Sequence, residues 1–328
     1  MKAQIIKQFG DETVFEFTDI PDPSAKSHEV LVRLHATSVN PVDWKIRRNG
    51  LPISPELPAV LGCDISGTVI DVGNKVTNFS KGDEVFGCGG GVKGMGGTYA
   101  ELIAVDHRLL AKRPNSLNAR QAAALPLVTI TAWEGLIRSN LKKGDSILIH
   151  GGTGGVGHVA IQIAKSLGAN VHTTVSSDAK AETALKLGAD EAILYNKVTT
   201  EEYVNKYTRG KGFDVVFDAT GGQTIAKSFE ASRLNGNVIT IVSQYDADLS
   251  LMHLKGLSLH VVFMLIPMLY DVDRESHGNL MENAGKLADL GKLSPLIDPE
   301  SFSLSDISSA HKKLENGQSI GKIVVDIN

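Results

Sequence analysis

Ser146-Ile-Leu-Ile-His-Gly-Gly-Thr-Gly-Gly-Val-Gly-His-Val-Ala-Ile-Gln-Ile-Ala-Lys165 reads as a buried strand, a glycine-rich turn and a helix. Gly152, Gly154 and Gly157 have the spacing of a dinucleotide-binding turn. One glycine makes the turn, a second lets the backbone approach a pyrophosphate, and a third lets the helix pack close to the strand. The diphosphate would then rest on free N–H groups at the helix start, around Gly155 and Val156. The plainer reading is a strand-to-helix turn that binds nothing. The strand before it and the helix after it are the context that favours binding.

Downstream, strands and helical segments alternate. Asn170–Val175, Glu191–Tyr195, Phe213–Asp218 and Gly236–Ser243 read as strands, and Ala179–Leu187 as a helix. This pattern predicts an α/β domain with a parallel, doubly wound sheet. Ligands of such sheets bind beyond the carboxyl ends of the strands. Three loops lie there: Ser176–Lys180, Ala219–Gly222 with Thr220, and Ser243–Tyr245.

An NAD site usually has an acid at the end of the second strand, about 20 residues past the glycines. Here the apolar run stops at Val175 and is followed by Ser176 and Ser177. Lys180 comes one helical turn later, and Tyr195 ends the third strand. Hydroxyls with a lysine suit a 2′-phosphate, which favours NADPH. Asp178 is the counter-signal; its place just after the strand also suits a helix cap.

Composition excludes other classes. The 328 residues allow one large or two medium domains. A net charge of −4 gives no basic footprint for nucleic acid. Two cysteines, Cys63 and Cys88, make no disulfide framework and suit a reducing cytoplasm. The start of the chain lacks the apolar core of a signal peptide. The most apolar run, Leu257–Tyr270, is broken by His260 and Pro267 and is too short to span a membrane.

The first third differs in texture. Glu29–His35 alternates like a half-buried strand. Gly67–Gly73, Asp83–Phe86 and Gly96–Ala104 are short strands among glycine-rich turns, which suggests a β-rich, barrel-like domain. Ala119–Ala124 begins a helical stretch toward Trp133. The strand Ile320–Ile327 is expected to return to the β-rich domain. The expected division is therefore residues 1–122 with 264–328, and 123–263.

Several segments together resemble the zinc-independent quinone oxidoreductase and enone reductase branch of the medium-chain dehydrogenase/reductase superfamily. They are Asn40-Pro-Val-Asp-Trp-Lys45, Leu61-Gly-Cys-Asp-Ile-Ser-Gly-Thr-Val69, Gly82-Asp-Glu-Val-Phe-Gly87 and Gly97-Thr-Tyr-Ala-Glu101. Ala122-Ala-Ala-Leu-Pro126, Thr131-Ala-Trp-Glu-Gly135, the glycine-rich turn and Gly321-Lys-Ile-Val-Val325 continue the series. The resemblance implies a GroES-like catalytic domain, a Rossmann domain, NADPH and a homodimer. The implied cofactor residues are Lys45, Thr131, Gly152, Gly154, Gly155, Val156, Gly157, Ser176, Lys180, Tyr195, Thr220, Ser243 and Lys322. The candidate catalytic residues are Asn40, Asp43 and Lys45. Lys45 would hold ribose or phosphate, or donate to a developing enolate, and Asn40 would orient the substrate carbonyl or the nicotinamide. The competing reading of this segment is a turn at Asn40-Pro41 in which Asp43 bonds nearby backbone N–H groups.

No metal is expected. Asn40 stands where zinc dehydrogenases of the superfamily have their first cysteine ligand, and Cys63 stands near their histidine. Catalytic zinc needs three protein ligands and an open position. Without a Lewis acid, a quinone or an α,β-unsaturated carbonyl is the fitting hydride acceptor, because its reduced form delocalises the charge. Histidines 35, 107, 150 and 158 have no triad or metal spacing and read as structural. Two other classes remain: a nucleotide-binding, crystallin-like or regulatory protein with little turnover, and a redox sensor using Cys63 and Cys88. Leu257–Met264, the expected last strand of the sheet, would leave an edge able to pair with a second copy.

Overall fold

The computed structural model describes residues 1–242, 246 and 248–327. The chain divides into two compact units, Met1–Ile130 with Leu265–Asn328, and Thr131–Met264. The first junction lies inside the helix Pro126–Arg138, not at 122/123. No linker composition marks it, because an apolar helix runs through it. The second junction lies at 264/265 where 263/264 was expected.

In the second unit, six strands among the described residues form one parallel sheet. Their order is Glu191–Leu194, Asn170–Val175, Ser146–His150, Phe213–Asp218, Ser232–Thr240 and Ser258–Val261. The sheet is doubly wound. Side chains alternate between the two faces along a strand. On one face Leu148 and Val216 pack with Tyr203 and Val204 of the helix Thr200–Thr208. On the other, Phe217 and Ile239 approach Gly135 so closely that a Cβ there would stand 2.7 Å from Ile239 Cγ2. Covered on both sides, the central strands are continuous apolar runs. The strand expected at Gly236–Ser243 starts earlier and ends at Thr240, and Ser243 lies outside the described residues. The edge strand, Ser258–Val261, is shorter than Leu257–Met264 because its segment turns into loop and helix after Val261.

The first unit is β-rich. The long strand Glu29–Val39 pairs antiparallel with Asp64–Val72, Leu102–Asp106 and Ile323–Asp326. The last of these is the expected return. The strand expected at Gly96–Ala104 is displaced to Leu102–Asp106, because the glycine-rich stretch before it folds as turns and bends. The hairpin Lys2–Ile6 with Phe15–Asp19, and the helix Arg274–Asp289, went unread. Among the described residues no helix is long and apolar enough to cross a membrane.

Candidate active site

In the first unit the site grows from the end of the strand Glu29–Val39. Asn40 caps the helix Pro41–Asn49, with extended φ −123° and ψ 155°. Asparagine at this position commonly spends its side chain on the helix N–H groups. Here the Asp43 N–H goes to the Asn40 backbone carbonyl, at 3.0 Å, and the Asp43 carboxylate returns to the Asn40 N–H, at 2.8 Å. The Asn40 side chain is thereby free to turn elsewhere. Its Nδ2 donates to Asp64 Oδ2 at 2.8 Å, and its Oδ1 accepts from Lys322 Nζ.

Asp64 is the hub of this cluster. It also accepts from Ser38 Oγ and, at 2.8 Å, from the Leu127 N–H in the first turn of its helix. Lys322 Nζ completes its set with Asp64 Oδ2 and the Val39 carbonyl, both at 3.3 Å. Ser38, Asn40, Asp64 and Lys322 are all buried. Asp43 lies just behind them. Its carboxylate accepts from Tyr99 Oη at 3.1 Å and from Cys63 Sγ at 3.4 Å, and burial pushes its pKa up to about 6. Its oxygens serve one backbone N–H, that of Asn40, and two side chains. Lys45 sits on the same helix, with Nζ 5.8 Å from the centre of the Trp44 ring.

In the second unit the glycine turn forms a cradle. Gly151 has φ +77°, so it carries the sharp bend, a role the spacing had given to the glycines after it. A Cβ on Gly157 would stand 2.8 Å from the Gly151 carbonyl carbon. The helix Gly155–Ser166 therefore starts hard against the turn. Its N-cap, Gly154, offers no side-chain cap, so the first-turn N–H groups of Gly155, Val156 and Gly157 are left for a ligand. Val175 pairs with Leu194, so Ser176 and Tyr195 leave the sheet from adjacent strands. Ser177 Oγ accepts from the Lys180 N–H, which fixes the start of the helix Asp178–Lys186. Asp178, the counter-signal, pairs with Lys197 at 3.4 Å. Thr220 is held by Asp218 Oδ1, which accepts from its N–H, its hydroxyl and the Gly221 N–H. Asp218 Oδ2 and His150 Nε2 are buried without a partner where those two strands end side by side. Orphaned groups at the carboxyl ends of adjacent parallel strands lie where ligands of such sheets bind. Thr131 is buried in its helix.

Two family descriptions match the chain: an alcohol dehydrogenase GroES-like domain over residues 26–115, and a zinc-binding dehydrogenase over residues 155–270. A chloroplastic NADPH-dependent alkenal/one oxidoreductase of Arabidopsis thaliana is 33% identical over 99% of this chain and 79% of its own length. An alcohol dehydrogenase superfamily protein from Novosphingobium aromaticivorans superposes with a TM-score of 0.94 at 38% identity, over the full length of both chains. The Escherichia coli quinone oxidoreductase solved with NADPH gives 0.88 at 26%, over 99% of this chain and 100% of that one. The chain belongs to the medium-chain dehydrogenase/reductase superfamily. Within it, the chain falls in the quinone and enone oxidoreductase branch.

The side chains around Cys63 and Asp64 in this medium-chain reductase do not fit a catalytic zinc. Among the described residues no three of His, Cys, Asp and Glu gather into a group that could hold a metal ion. Beside Cys63 and Asp64, the ammonium of Lys322 already lies against the carboxylate. A divalent cation there would face a fixed positive charge. The dinucleotide cradle, by contrast, fits a diphosphate. The two cysteines are buried and free, and the Cys63 thiol is pushed well up by its hydrogen bond with Cys88 and by burial. A thiol so protected makes a poor redox sensor. Sequence reasoning missed Asp64 as the hub, because nothing in its spacing ties it to Lys322. Lys322, expected among the cofactor ligands, makes three bonds here, to Val39, Asn40 and Asp64.

Proposed function

We propose that this medium-chain reductase is an NADPH-dependent, zinc-independent oxidoreductase that delivers hydride to a quinone or an α,β-unsaturated carbonyl. The observation that carries the reading is the uncapped helix start at Gly155, pressed against a glycine turn. When bound, NADPH supplies the hydride. The chain's own residues do the rest. Gly155, Val156 and Gly157 hold the diphosphate through their N–H groups, and Ser176, Lys180 and Tyr195 hold the 2′-phosphate. Thr131 and Thr220 are further ligands of the nucleotide, as are Lys45 and Ser243, the latter outside the described residues. Asn40 donates to the acceptor's carbonyl oxygen as charge develops there. Asp43 sets the Asn40 backbone. An acceptor that spreads the incoming charge needs no more than such a donor, which suits a site without a Lewis acid.

The test is NADPH oxidation with a panel of quinones and enones after exhaustive chelation. Turnover is expected to survive chelation, with far less than one zinc per chain by elemental analysis. Stoichiometric zinc, or turnover lost on chelation and restored by zinc, would refute the metal-free reading. Binding of NADPH with no turnover on any acceptor would favour the crystallin-like or regulatory alternative. In the same assay Lys180→Ala is expected to weaken NADPH by about tenfold, a loss of ~1.4 kcal/mol, and to leave NADH unchanged. Equal wild-type affinities for the two would refute the 2′-phosphate assignment.

Two further features belong to the proposal. The free, buried cysteines suit a cytoplasmic protein. The edge strand Ser258–Val261 suits a homodimer. Val261 and Phe263 are exposed, and the Val262 N–H points inward to Thr240, so the Val261 backbone points outward. Arg138 already takes the Val261 carbonyl at 2.9 Å. Light scattering should give a dimer for the wild type and a folded monomer for Val261→Pro. A wild-type monomer, or a folded dimeric variant, would overturn the pairing.

A further inference from the structure

We propose that Asp64 and Lys322 are positioning residues, a buried clamp that fixes the side-chain amide of Asn40 in one orientation for the acceptor's carbonyl oxygen. The inference rests on the hydride-transfer reading above and assigns two residues that take no part in the chemistry directly. Lys322 Nζ sits on Asn40 Oδ1, and Asp64 Oδ2 takes Asn40 Nδ2 at 2.8 Å. A primary amide is close to symmetric in shape, and its two ends exchange by a half-turn about one torsion. In this cluster the half-turn would face an NH2 group to an ammonium and a carbonyl oxygen to a carboxylate. Both contacts would become repulsive in a buried setting, where charge interactions are strong. The amide therefore has one permitted orientation.

The clamp has a chemical effect as well as a geometric one. An amide carries two N–H donors and two oxygen lone pairs. The cluster uses one donor and one lone pair. A cation on Oδ1 draws electron density from the amide and strengthens its N–H groups as donors, an effect that the carboxylate on the first N–H partly offsets. That is the electrostatic help a hydride acceptor's oxygen needs as it gains charge. Stability alone is a weak reason to keep such a pair. Buried ion pairs are often no more stabilising than apolar residues of the same volume. The cost of assembling this one is clear in its sources: Ser38 and Asn40, Asp64, Leu127 and Lys322 come from four separate places in the chain.

The clamp is tested by separating folding from chemistry. The double variant Asp64→Asn/Lys322→Met removes both charges together, so no lone buried charge remains, and it should melt above either single variant. Lys322→Arg keeps the charge but replaces a compact ammonium with a planar fork. For both, kcat with methyl vinyl ketone or 1,4-benzoquinone should fall by up to about 100-fold, the cost of a misplaced group. Dissociation constants for NADPH should stay within about twofold. The Asn40 side-chain amide resonances, assigned by their loss in Asn40→Ala, should be protected from solvent exchange in the wild type and shift in both variants. A folded double variant with wild-type kcat would overturn the clamp. So would Asn40 amide resonances that do not move in Lys322→Arg, and this arm decides if the double variant does not fold. A wild type inactive with every acceptor would refute the proposed function instead, and the resonances would still decide the clamp.

Discussion

Gly157→Ala is expected to weaken NADPH binding by about tenfold to a hundredfold, since overpacking costs ~1–3 kcal/mol and each decade of affinity is ~1.4 kcal/mol. The added Cβ would lie 2.8 Å from the Gly151 carbonyl carbon and 3.0 Å from Gly152 Cα. Both are backbone atoms, so no flexible side chain can yield. The turn itself must move, and it cannot move far. Gly151 is held at φ +77°, and any Cβ on Gly152 would stand 2.9 Å from Thr173 Cβ. Displacing the turn takes the N–H groups of Gly155 and Val156 out of line with a diphosphate. A fluorescence titration of NADPH, with the melting temperature recorded alongside, measures both effects. Gly96→Ala is the control: its Cβ would meet nothing within 4 Å, and it should change neither. An unchanged dissociation constant in Gly157→Ala would mean that the cradle does not carry the diphosphate.

Asn40→Ala should lower kcat by about 10²–10³, the usual cost of losing a donor aimed at a developing oxyanion, with NADPH affinity little changed. The substitution leaves helix initiation intact, because Asp43 bonds the Asn40 backbone N–H and not its side chain. It does take a partner from both Lys322 Nζ and Asp64 Oδ2. A stability loss of ~1–3 kcal/mol should therefore accompany the kinetic one. Steady-state kinetics with one quinone and one enone, at saturating NADPH, give the answer. A variant with wild-type kcat would remove Asn40 from the chemistry. A variant with raised KM and unchanged kcat would limit it to binding.

The parts of this molecule that were legible in sequence are those built from neighbours in the chain. The strand Asn170–Val175 and the strand Phe213–Asp218 have the same ends in the structure as in the pattern, because their buried runs stop at polar turns. The glycine turn was legible as well, although spacing alone did not single out Gly151 as the residue with positive φ. The return of Ile323–Asp326 to the β-rich unit was readable by counting strands. Other features depend on distant residues. Asp64 lies 258 positions from Lys322, and only the pairing of two strands with Glu29–Val39 brings them together. The first junction between units was misplaced for the opposite reason: a continuous helix hides it. Lys2–Ile6 was unreadable because its alternation is weak and its partner, Phe15–Asp19, is mostly exposed.

The antiparallel pairing of Ile323–Asp326 with Glu29–Val39 has a consequence for how the protein is made. Residues 131–264 leave the ribosome as a complete unit, with every strand of their sheet already synthesised. The β-rich unit waits. Its central strand emerges early, but the partner that carries Lys322 to Asn40 comes nearly three hundred residues later. At translation rates of ~5–20 residues per second that is a delay of many seconds, with an unpaired strand edge exposed throughout. A chain stalled before Lys322 would hold a finished nucleotide fold and no assembled Asn40 cluster.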